Sequence, residues 1–280
     1  MRIYITADIH GRPDILYEVL TMEKDGVRIL KPGDMLSIAG DAGVGFFNTY
    51  CNEEKYYDYI NEYAGRMQIR IIFIDGNHEV FPKLYAYPEE EWNGGKVHRI
   101  RENIIHCIRG EVYDIEESDG RVYRIFTFGG GYSLDKDRRT EGIDWFPEEN
   151  ITEEQRINAL RNLERVGYKV DYCITHTAPI ETVERLGRKY YGEIRIGVIE
   201  EFELTNFLQL IADNRELPEE TKWYFGHFHK DDDALWDRYG RRQYALMHEV
   251  RDLETGEVVY TRQRRSDSGD RTVFIKDEWN

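Results

Sequence analysis

Short apolar runs alternate with helical patterns through the first half of the chain. The segments "RIYITA" (2–7), "DMLSIAG" (34–40) and "IRIIFIDG" (69–76) are nearly continuous in apolar, β-favouring residues. Such runs are typical of strands that are buried on both faces. Because helical patterns separate them, the sequence predicts an α/β fold in which helices cover a sheet.

Three segments carry apolar residues at helical spacing. They lie at 54–66, after a capping box at "TEEQ" (152–155), and at about 199–212. Each apolar face is expected to pack into the core. The residues of the three faces are, in chain order, Tyr56, Tyr59, Ile60 and Tyr63; Ile157, Leu160, Leu163 and Val166; and Leu204, Phe207, Leu208 and Ile211.

The strand pattern changes in the middle of the chain. "IIHCIRGEVYDI" (104–115) and "RVYRIFTF" (121–128) predict antiparallel strands joined by a turn at "EESDG" (116–120). "DYCIT" (171–175) and "KWYF" (222–225) are again short and apolar, and each predicts a buried strand. The sheet is therefore expected to contain a second, less parallel region.

No repeat or shift in composition divides the chain, so we expect a single domain over residues 1–280. Residues 132–150 are charged and interrupted by glycine and proline, which predicts an irregular insertion. "RRQYALMHEV" (241–250) and "EVVYTRQ" (257–263) flank "DLETG" and predict a C-terminal hairpin. The polar residues that follow, to residue 280, are expected to form a partly frayed tail.

Composition and charge limit the classes of partner. With 38 basic and 54 acidic residues the net charge is −16, which disfavours a surface built to bind a nucleic-acid duplex. Cys51, Cys107 and Cys173 are widely spaced and odd in number, which indicates a reducing compartment. No apolar stretch approaches the roughly 18 residues of a membrane span. We therefore expect a cytoplasmic location without a membrane anchor; the sequence leaves the oligomeric state open.

Polar residues follow five of the predicted strands at the point where each strand ends. The segments are "ADIH", "GDAG", "DGNHE", "THT" and "GHFH". Ligand sites in α/β sheets gather at the carboxyl ends of strands, so these ends are expected to converge. Four of the segments hold five of the eight histidines, which are His10, His78, His176, His227 and His229. His98, His106 and His248 lack this context and are expected to be ordinary core or surface residues.

The residue types at these strand ends are those of a metal site. Carboxylate, imidazole and amide side chains together favour divalent ions such as Mn²⁺, Fe or Zn²⁺ over Ca²⁺. Seven candidates exceed the needs of one tetrahedral ion and suit two ions that share a carboxylate. The candidate ligands are Asp8, His10, Asp41, Asn77, His176, His227 and His229.

In their order, these motifs resemble the calcineurin-like metallophosphoesterases, whose pattern runs D-x-H, G-D, G-N-H-[DE], H, G-H-x-H. The resemblance extends from residue 8 to residue 229. It implies two mixed β-sheets packed as a sandwich and flanked by helices, with two divalent metal ions of which Mn²⁺ is favoured over Fe or Zn²⁺. It further implies that Asp41 bridges the ions and that His78 contacts the substrate phosphate and assists the leaving group. The remaining ligands would divide into Asp8, His10 and His229 for one ion and Asn77, His176 and His227 for the other.

One motif departs from the pattern of the related Ser/Thr protein phosphatases. Their second motif carries an arginine that binds phosphate, whereas here the stretch is "GDAGVGF" (40–46). Cations elsewhere would have to replace that arginine. The candidates are Arg12 and the cluster Lys136, Arg138 and Arg139, and the segment that begins at Tyr132 is expected to shape the substrate pocket.

The resemblance implies a phosphoesterase in which a metal-bridging hydroxide attacks phosphorus. The substrate is expected to be a phosphodiester or a phosphomonoester, such as a nucleotide or another small molecule. Two alternatives stay open: a Ser/Thr-type phosphoprotein phosphatase, and a non-catalytic scaffold of the same fold that binds a protein partner.

Overall fold

The three apolar runs near the N-terminus form neighbouring parallel strands in an eight-stranded mixed sheet. The computed structural model describes residues 1–116, 120–192 and 199–263. The three central strands are fully or almost fully buried, as their apolar character predicts. In spatial order the sheet contains β16 (Val258–Thr261), β15 (Glu249–Asp252), β1 (Ile3–Thr6), β4 (Met35–Ala39), β5 (Arg70–Ile74), β8 (Ile104–Cys107), β7 (Gly95–Arg101) and β6 (Glu89–Trp92).

A second mixed sheet, of six strands, packs against the first. The parallel register of its central strands pairs Cys173 with Phe126 on one side and with Trp223 on the other. Its strands are, in spatial order, β13 (Asp232–Trp236), β14 (Arg242–Ala245), β12 (Lys222–Phe225), β11 (Tyr172–Thr175), β10 (Val122–Phe128) and β9 (Val112–Glu116). A separate short hairpin joins β2 (Glu23–Lys24) to β3 (Val27–Arg28).

Helices cover the outer faces of both sheets. The first sheet packs on α1 (Pro13–Leu20) and α2 (Glu53–Met67), and the second on α4 (Glu153–Arg165), α5 (Ile180–Tyr191) and α6 (Ile199–Ala212). A third apolar cluster draws residues from both sheets and fills the space between them. The predicted sandwich of two mixed sheets flanked by helices is therefore confirmed. A one-turn helix, α3 (Phe81–Leu84), completes the set.

Most predicted helical faces are buried, but the face of α4 is rotated. The capping box is present, with the Thr152 side chain accepting from the Gln155 amide. Ile157, however, is 40% exposed, and the fully buried positions are Ala159 and Leu163. The predicted apolar face was therefore wrong at Ile157. The small side chain of Ala159 packs closely on the loop at Gly110, so the buried face of α4 includes Ala159 instead of Ile157.

Two predicted strands are each divided between the sheets. The segment 104–115 contributes β8 to the first sheet and β9 to the second, because the chain turns at Gly110, whose φ of +81° favours glycine. The segment 241–250 likewise contributes β14 and then β15, so the C-terminal hairpin is the shorter pair β15 and β16. Neither crossing was predicted, since a strand that changes sheets keeps its apolar character. Part of the turn at 116–120 and the tail at 264–280 lie outside the described residues.

Three helices, α1, α3 and α5, were missed, and the insertion at 132–150 is irregular. Pro13 opens α1 and Pro179 immediately precedes α5, where proline is well tolerated. The insertion contains the short 3₁₀ turns Lys136–Arg138 and Pro147–Glu149.

Candidate metal and phosphate site

The five polar strand ends meet at one edge of the sandwich. The loops after β1, β4 and β5 supply Asp8, His10, Asp41, Asn77 and His78 from the first sheet. The loops after β11 and β12 supply His176, His227 and His229 from the second. All five strands run parallel to a neighbour in their sheet, so their carboxyl ends face the same edge. We call the seven predicted ligands the pocket cluster.

The backbone of the pocket cluster turns sharply at each loop. Of nine described non-glycine residues with positive φ, five belong to this cluster: Asp8, His10, Asp41, His227 and His229. Left-handed backbone is unfavourable for such residues, and it concentrates at functional sites. The backbone of the two histidines in "GHFH" is therefore not that of a β-strand. Their side chains point in different directions, and each faces a different part of the cluster.

One part of the cluster combines two carboxylates with two imidazoles. Ligand atoms of Asp8, His10, Asp41 and His229 all lie within 4.8 Å of one another. His10 Nδ1 is 3.6 Å from Asp41 Oδ2, and His10 Nε2 is 3.2 Å from His229 Nε2. This part is the open one, since the His229 side chain is 49% exposed.

The other part is buried and contains an amide oxygen. His176 Nε2 lies 3.3 Å from Asp41 Oδ1 and 3.1 Å from Asn77 Oδ1. His227 Nδ1 is 2.9 Å from the same Asn77 oxygen. The two oxygens of Asp41 thus face the two parts, and Asp41 is the carboxylate that joins them.

Neighbouring groups hold the donor atoms of the buried part in place. His176 Nδ1 donates to the Ala39 carbonyl oxygen at 3.1 Å, so Nε2 is the ring nitrogen directed toward the cluster. The Asn77 side-chain amide donates to Ser133 Oγ at 3.0 Å, and Ser133 Oγ donates to Glu149 at 2.6 Å. This arrangement turns Asn77 Oδ1 toward the histidines. Ser133 and Glu149 were not predicted, because nothing in a lone serine and a lone glutamate of a loop indicates such a role.

The backbone approaches the cluster so closely that side chains are excluded there. A Cβ atom added to Gly76 would lie 2.1 Å from Asp41 Oδ1 and 2.7 Å from His176 Nε2. The space at the end of β5 is therefore reserved for the donor atoms of the cluster.

Burial favours the neutral form of three of the four imidazoles in the cluster. Burial lowers the pKa of His10 to about 3, and it lowers the pKa of His227 and His229 as well. Burial opposes the ionised form of Asp41, but the nearby histidines outweigh it and lower the pKa of Asp41 well below its usual value. Neutral imidazoles beside an ionised carboxylate form the donor set that a divalent ion needs.

Two members of the cluster hold protons more strongly. Burial raises the pKa of Asp8 to about 7. Burial lowers the pKa of His176, but Asp41 and Asp8 outweigh it and raise that pKa to about 9. Both groups must release protons before they can bind a cation.

His78 lies beside the cluster and not within it. Its backbone N–H donates to Asp41 Oδ1 at 2.7 Å, and its ring meets the His10 ring edge-on with centroids 4.8 Å apart. The Arg139 guanidinium lies against the His78 imidazole, with Nη2 3.1 Å from Nε2. Burial lowers the pKa of His78, and Arg139 lowers it further.

A cavity of about 750 Å³ opens over the cluster. Of the predicted substrate-binding residues, Arg12, Tyr132 and Arg139 line it together with His78 and Asn77. Lys136 and Arg138 are not among its lining residues; the Lys136 ammonium lies over the rings of Tyr132 and Trp145, at 5.6 and 5.1 Å. The apolar wall was missed, and it contains Ile15, Leu134, Val183, Leu186, Tyr190 and Phe228.

The cluster fits divalent metal ions. Asp8 Oδ2 is buried and no described residue forms a hydrogen bond with it, which is costly for a carboxylate unless a cation binds it. Imidazole nitrogens that lie close to one another and to carboxylate oxygens, as His10 and His229 do, are also better satisfied by a shared cation than by each other.

The comparisons with known proteins identify a family. The sequence model of the calcineurin-like phosphoesterases matches residues 1–231, which include the whole pocket cluster. The curated proteins contain no match to the chain. Among the described residues, no helix has the length and apolar character needed to cross a bilayer.

Proposed function

Because the chain belongs to the calcineurin-like phosphoesterases, which are metal-dependent phosphoester hydrolases, we propose that it hydrolyses a phosphate ester with two divalent metal ions at the pocket cluster. The observation that carries this proposal is the position of Asp41. Its Oδ2 faces His10 at 3.6 Å and its Oδ1 faces His176 at 3.3 Å, so one carboxylate addresses two separate groups of donors.

The geometry supports the following division of ligands. Asp8, His10 and His229 would hold one ion, and Asn77, His176 and His227 the other, with Asp41 common to both. The mixture of nitrogen and oxygen donors favours Mn²⁺, with Fe or Zn²⁺ as alternatives. When bound, such ions stabilise charge on phosphoryl oxygens and lower the pKa of water so that it can act as a nucleophile.

His78 is the proposed catalytic residue of the chain. It lines the cavity beside the cluster, and its imidazole takes no part in the contact between Asn77 and His176. Its Nε2 can hold or deliver a proton at the leaving oxygen of the ester. Arg139 stacks on this ring and can bind a non-reacting oxygen of the substrate at the same time as it orients His78.

The shape and lining of the cavity favour a small organic phosphate ester over a phosphoprotein. Pockets of this size bury most of a small ligand, and their apolar walls bind its organic part. Here the apolar wall on α5 lies next to the pocket cluster, so a nucleoside or another aryl or alkyl group could lie against Leu186 and Tyr190. Both a phosphodiester and a phosphomonoester are compatible with this arrangement.

A substrate panel tests the proposal. The protein would be assayed with Mn²⁺ on bis-p-nitrophenyl phosphate, p-nitrophenyl phosphate, cyclic nucleotides and a phosphopeptide, with the His78→Asn variant as the control for contaminating phosphatases. We expect hydrolysis of at least one small ester and little of the phosphopeptide. If the protein binds two metal ions and hydrolyses none of these substrates, the result would contradict the enzymatic function and favour a scaffold.

A further inference from the structure

A buried arginine reaches the cavity from outside the part of the chain that matches the family. Arg262 follows β16, beyond residues 1–231, and lines the same cavity as the pocket cluster. Its backbone N–H donates to the His248 carbonyl oxygen at 2.8 Å, which ties it to the crossing between β14 and β15. The residue is only 4% exposed. Its position is thus set by the second sheet crossing, which the sequence did not predict.

The guanidinium of Arg262 is incompletely paired within the described structure. Nη1 is buried and has no hydrogen-bond partner among residues 1–116, 120–192 and 199–263. Leaving a buried charged donor unsatisfied is costly, so such a group is normally matched by an anion. Because Arg262 lines the cavity and the described protein groups do not fully match its guanidinium, a ligand in the cavity is the candidate for the missing anion.

The carboxylates near Arg262 make their hydrogen bonds with other groups of the described structure. Asp231 accepts the backbone N–H groups of Met247, His248 and Glu249 at 2.8 to 3.1 Å. Glu18 Oε1 accepts from the Tyr260 hydroxyl and from a backbone N–H at 3.0 and 2.9 Å. Asp8 belongs to the pocket cluster. Each is near enough to attract Arg262, yet none of these described residues forms an ion pair with it within 4 Å.

The other arginines of the cavity wall differ in this respect. Arg12 forms two hydrogen bonds with Asp14, at 3.0 and 2.9 Å. Arg139 donates through Nε to Asp135 at 2.8 Å. Both charges are balanced by a neighbouring carboxylate, so they attract an anion less strongly than an unpaired guanidinium does.

We propose that Arg262 is a substrate-binding residue whose guanidinium donates to an anionic phosphate oxygen of the ligand in the cavity. This inference deepens the proposed function and rests on it. Arg262 is close enough to Asp8 to be attracted by it, whereas Arg139 lies against His78. A phosphate group between them would receive donors from both sides, and a planar guanidinium suits its oxygens well.

The test measures the binding of inorganic phosphate to the metal-loaded protein by calorimetry. Arg262→Met removes the charge and keeps much of the volume, and we expect the dissociation constant for phosphate to rise by roughly 10- to 100-fold, as for the loss of a hydrogen bond to a charged group. Metal content should stay unchanged. Arg121→Met is the matched control, because Arg121 is an exposed residue paired with Glu254 and is not a lining residue of the cavity; it should bind phosphate as the parent protein does.

Arg262→Lys guards against misfolding of the first variant. It keeps the buried charge but loses the guanidinium fork, so it should fold and bind phosphate less tightly than the parent protein. Phosphate should also raise the thermal unfolding temperature of the parent protein more than that of either variant. If both variants bind phosphate with the parent's affinity, or if Arg262→Met loses stability alone, Arg262 is a structural cation and the inference is wrong.

The outcome is separable from the fate of the proposed function. A parent protein that hydrolyses no ester, but whose phosphate binding depends on Arg262, would contradict the function and support the binding role. Hydrolysis with an unchanged KM in Arg262→Met, together with unchanged phosphate affinity, would support the proposed function and contradict the binding role of Arg262.

Discussion

Two clusters of aspartate and histidine lie at the ends of neighbouring strands, and they differ in what surrounds them. The pocket cluster contains Asp41, which follows β4, and it opens into the cavity. A second cluster is centred on Asp75, which follows β5, and includes His98, His106 and Arg109. None of these four residues is among those that line the cavity. We call this second group the Asp75 cluster.

Every charged group of the Asp75 cluster has a protein partner. Asp75 Oδ2 accepts from Arg109 Nε at 2.8 Å, and Asp75 Oδ1 lies 3.1 Å from His106 Nε2. His106 Nδ1 is 2.9 Å from His98 Nδ1, and the two rings are stacked with centroids 5.2 Å apart. The chain thus supplies the cation that balances Asp75. His98, His106 and His248 were predicted to be ordinary core or surface residues; the first two are buried core residues, whereas His248 lines the cavity.

The contrast shows that residue type alone does not make a metal site. Both clusters combine buried carboxylates with imidazoles. Asp75 forms an ion pair with Arg109, whereas no arginine or lysine among the described residues forms an ion pair with Asp41 or Asp8, whose nearest partners are imidazoles and backbone groups. A buried carboxylate without a cation of its own is the feature that calls for an added one.

Metal removal should produce the largest difference between the two clusters, because it affects the pocket cluster and leaves the Asp75 cluster unchanged. Exhaustive chelation is expected to abolish hydrolysis, because the residues around Asp41 bind no substrate productively without their cations, and readdition of Mn²⁺ should restore it. The Asp75 cluster already has its cation, so the fold should persist; circular dichroism would check this. Hydrolysis that survives chelation would contradict the proposed mechanism.

Matched substitutions of the two aspartates sharpen the comparison. Asp41→Asn should lower the occupancy of both ions, because this carboxylate is common to both groups of ligands. Asp75→Asn should leave metal stoichiometry near that of the parent protein. Elemental analysis of both variants provides the measurement. Loss of only one ion from Asp41→Asn would show that Asp41 does not bridge.

His78, which lies beside the pocket cluster, and His98 of the Asp75 cluster should differ in catalysis. His78→Asn is expected to reduce turnover by roughly 10²- to 10⁴-fold, the usual contribution of a positioned acid or base, with metal content preserved. The loss should be smaller for esters with good leaving groups. His98→Asn is the matched control and should change stability but not turnover. An emptied metal site in His78→Asn would instead make His78 a ligand.

The Asp75 cluster should matter most for stability. Asp75→Asn leaves Arg109 buried without its counterion, which is expected to cost about 3–5 kcal/mol of unfolding free energy in denaturant titration. Burial alone would raise the pKa of Asp75, but Arg109 and His106 lower it below its usual value. Its contribution to stability is therefore present above the unfolded pKa of about 3.9 and lost as pH falls through the lower folded pKa.

The direction of this pKa shift also provides a control for Asp75. Acid unfolding of the parent protein should become steeper below about pH 4, and Asp75→Asn should lack that component. Equal acid sensitivity in the two proteins would show that Asp75 is not held ionised by its partners.

The smallest effect is expected from the cations of the insertion. Arg139→Ala should raise KM for the preferred substrate roughly tenfold, since it removes a charged donor beside His78. Arg138→Ala is the matched control, because Arg138 is not a lining residue of the cavity, and the same holds for Lys136. Equal kinetics in both variants would reduce this segment to a surface loop.

The strands and the donors of the pocket cluster could be predicted from the sequence because both are local properties. A run such as "IRIIFIDG" is apolar whatever surrounds it, and "GNHE" carries its donors at a strand end. The five strand ends predicted to meet do meet in the structure. The metal content and the role of each ligand stay predictions.

Contacts between distant segments were decided only in the tertiary structure. The sheet crossings at Gly110 and after Ala245 leave no mark on the apolar pattern, yet the second one places Arg262 on the cavity wall. Asp75 and Asp41 are equivalent in sequence, each an aspartate at the end of a buried strand. What separates them is Arg109, which lies 34 residues from Asp75 and reaches it because β8 pairs with β5 in the first sheet. Charge balance in a protein interior depends on which side chains are brought together by folding. A local sequence pattern could therefore predict the donor residues of the site, but it could not predict which charged residues lie beside them.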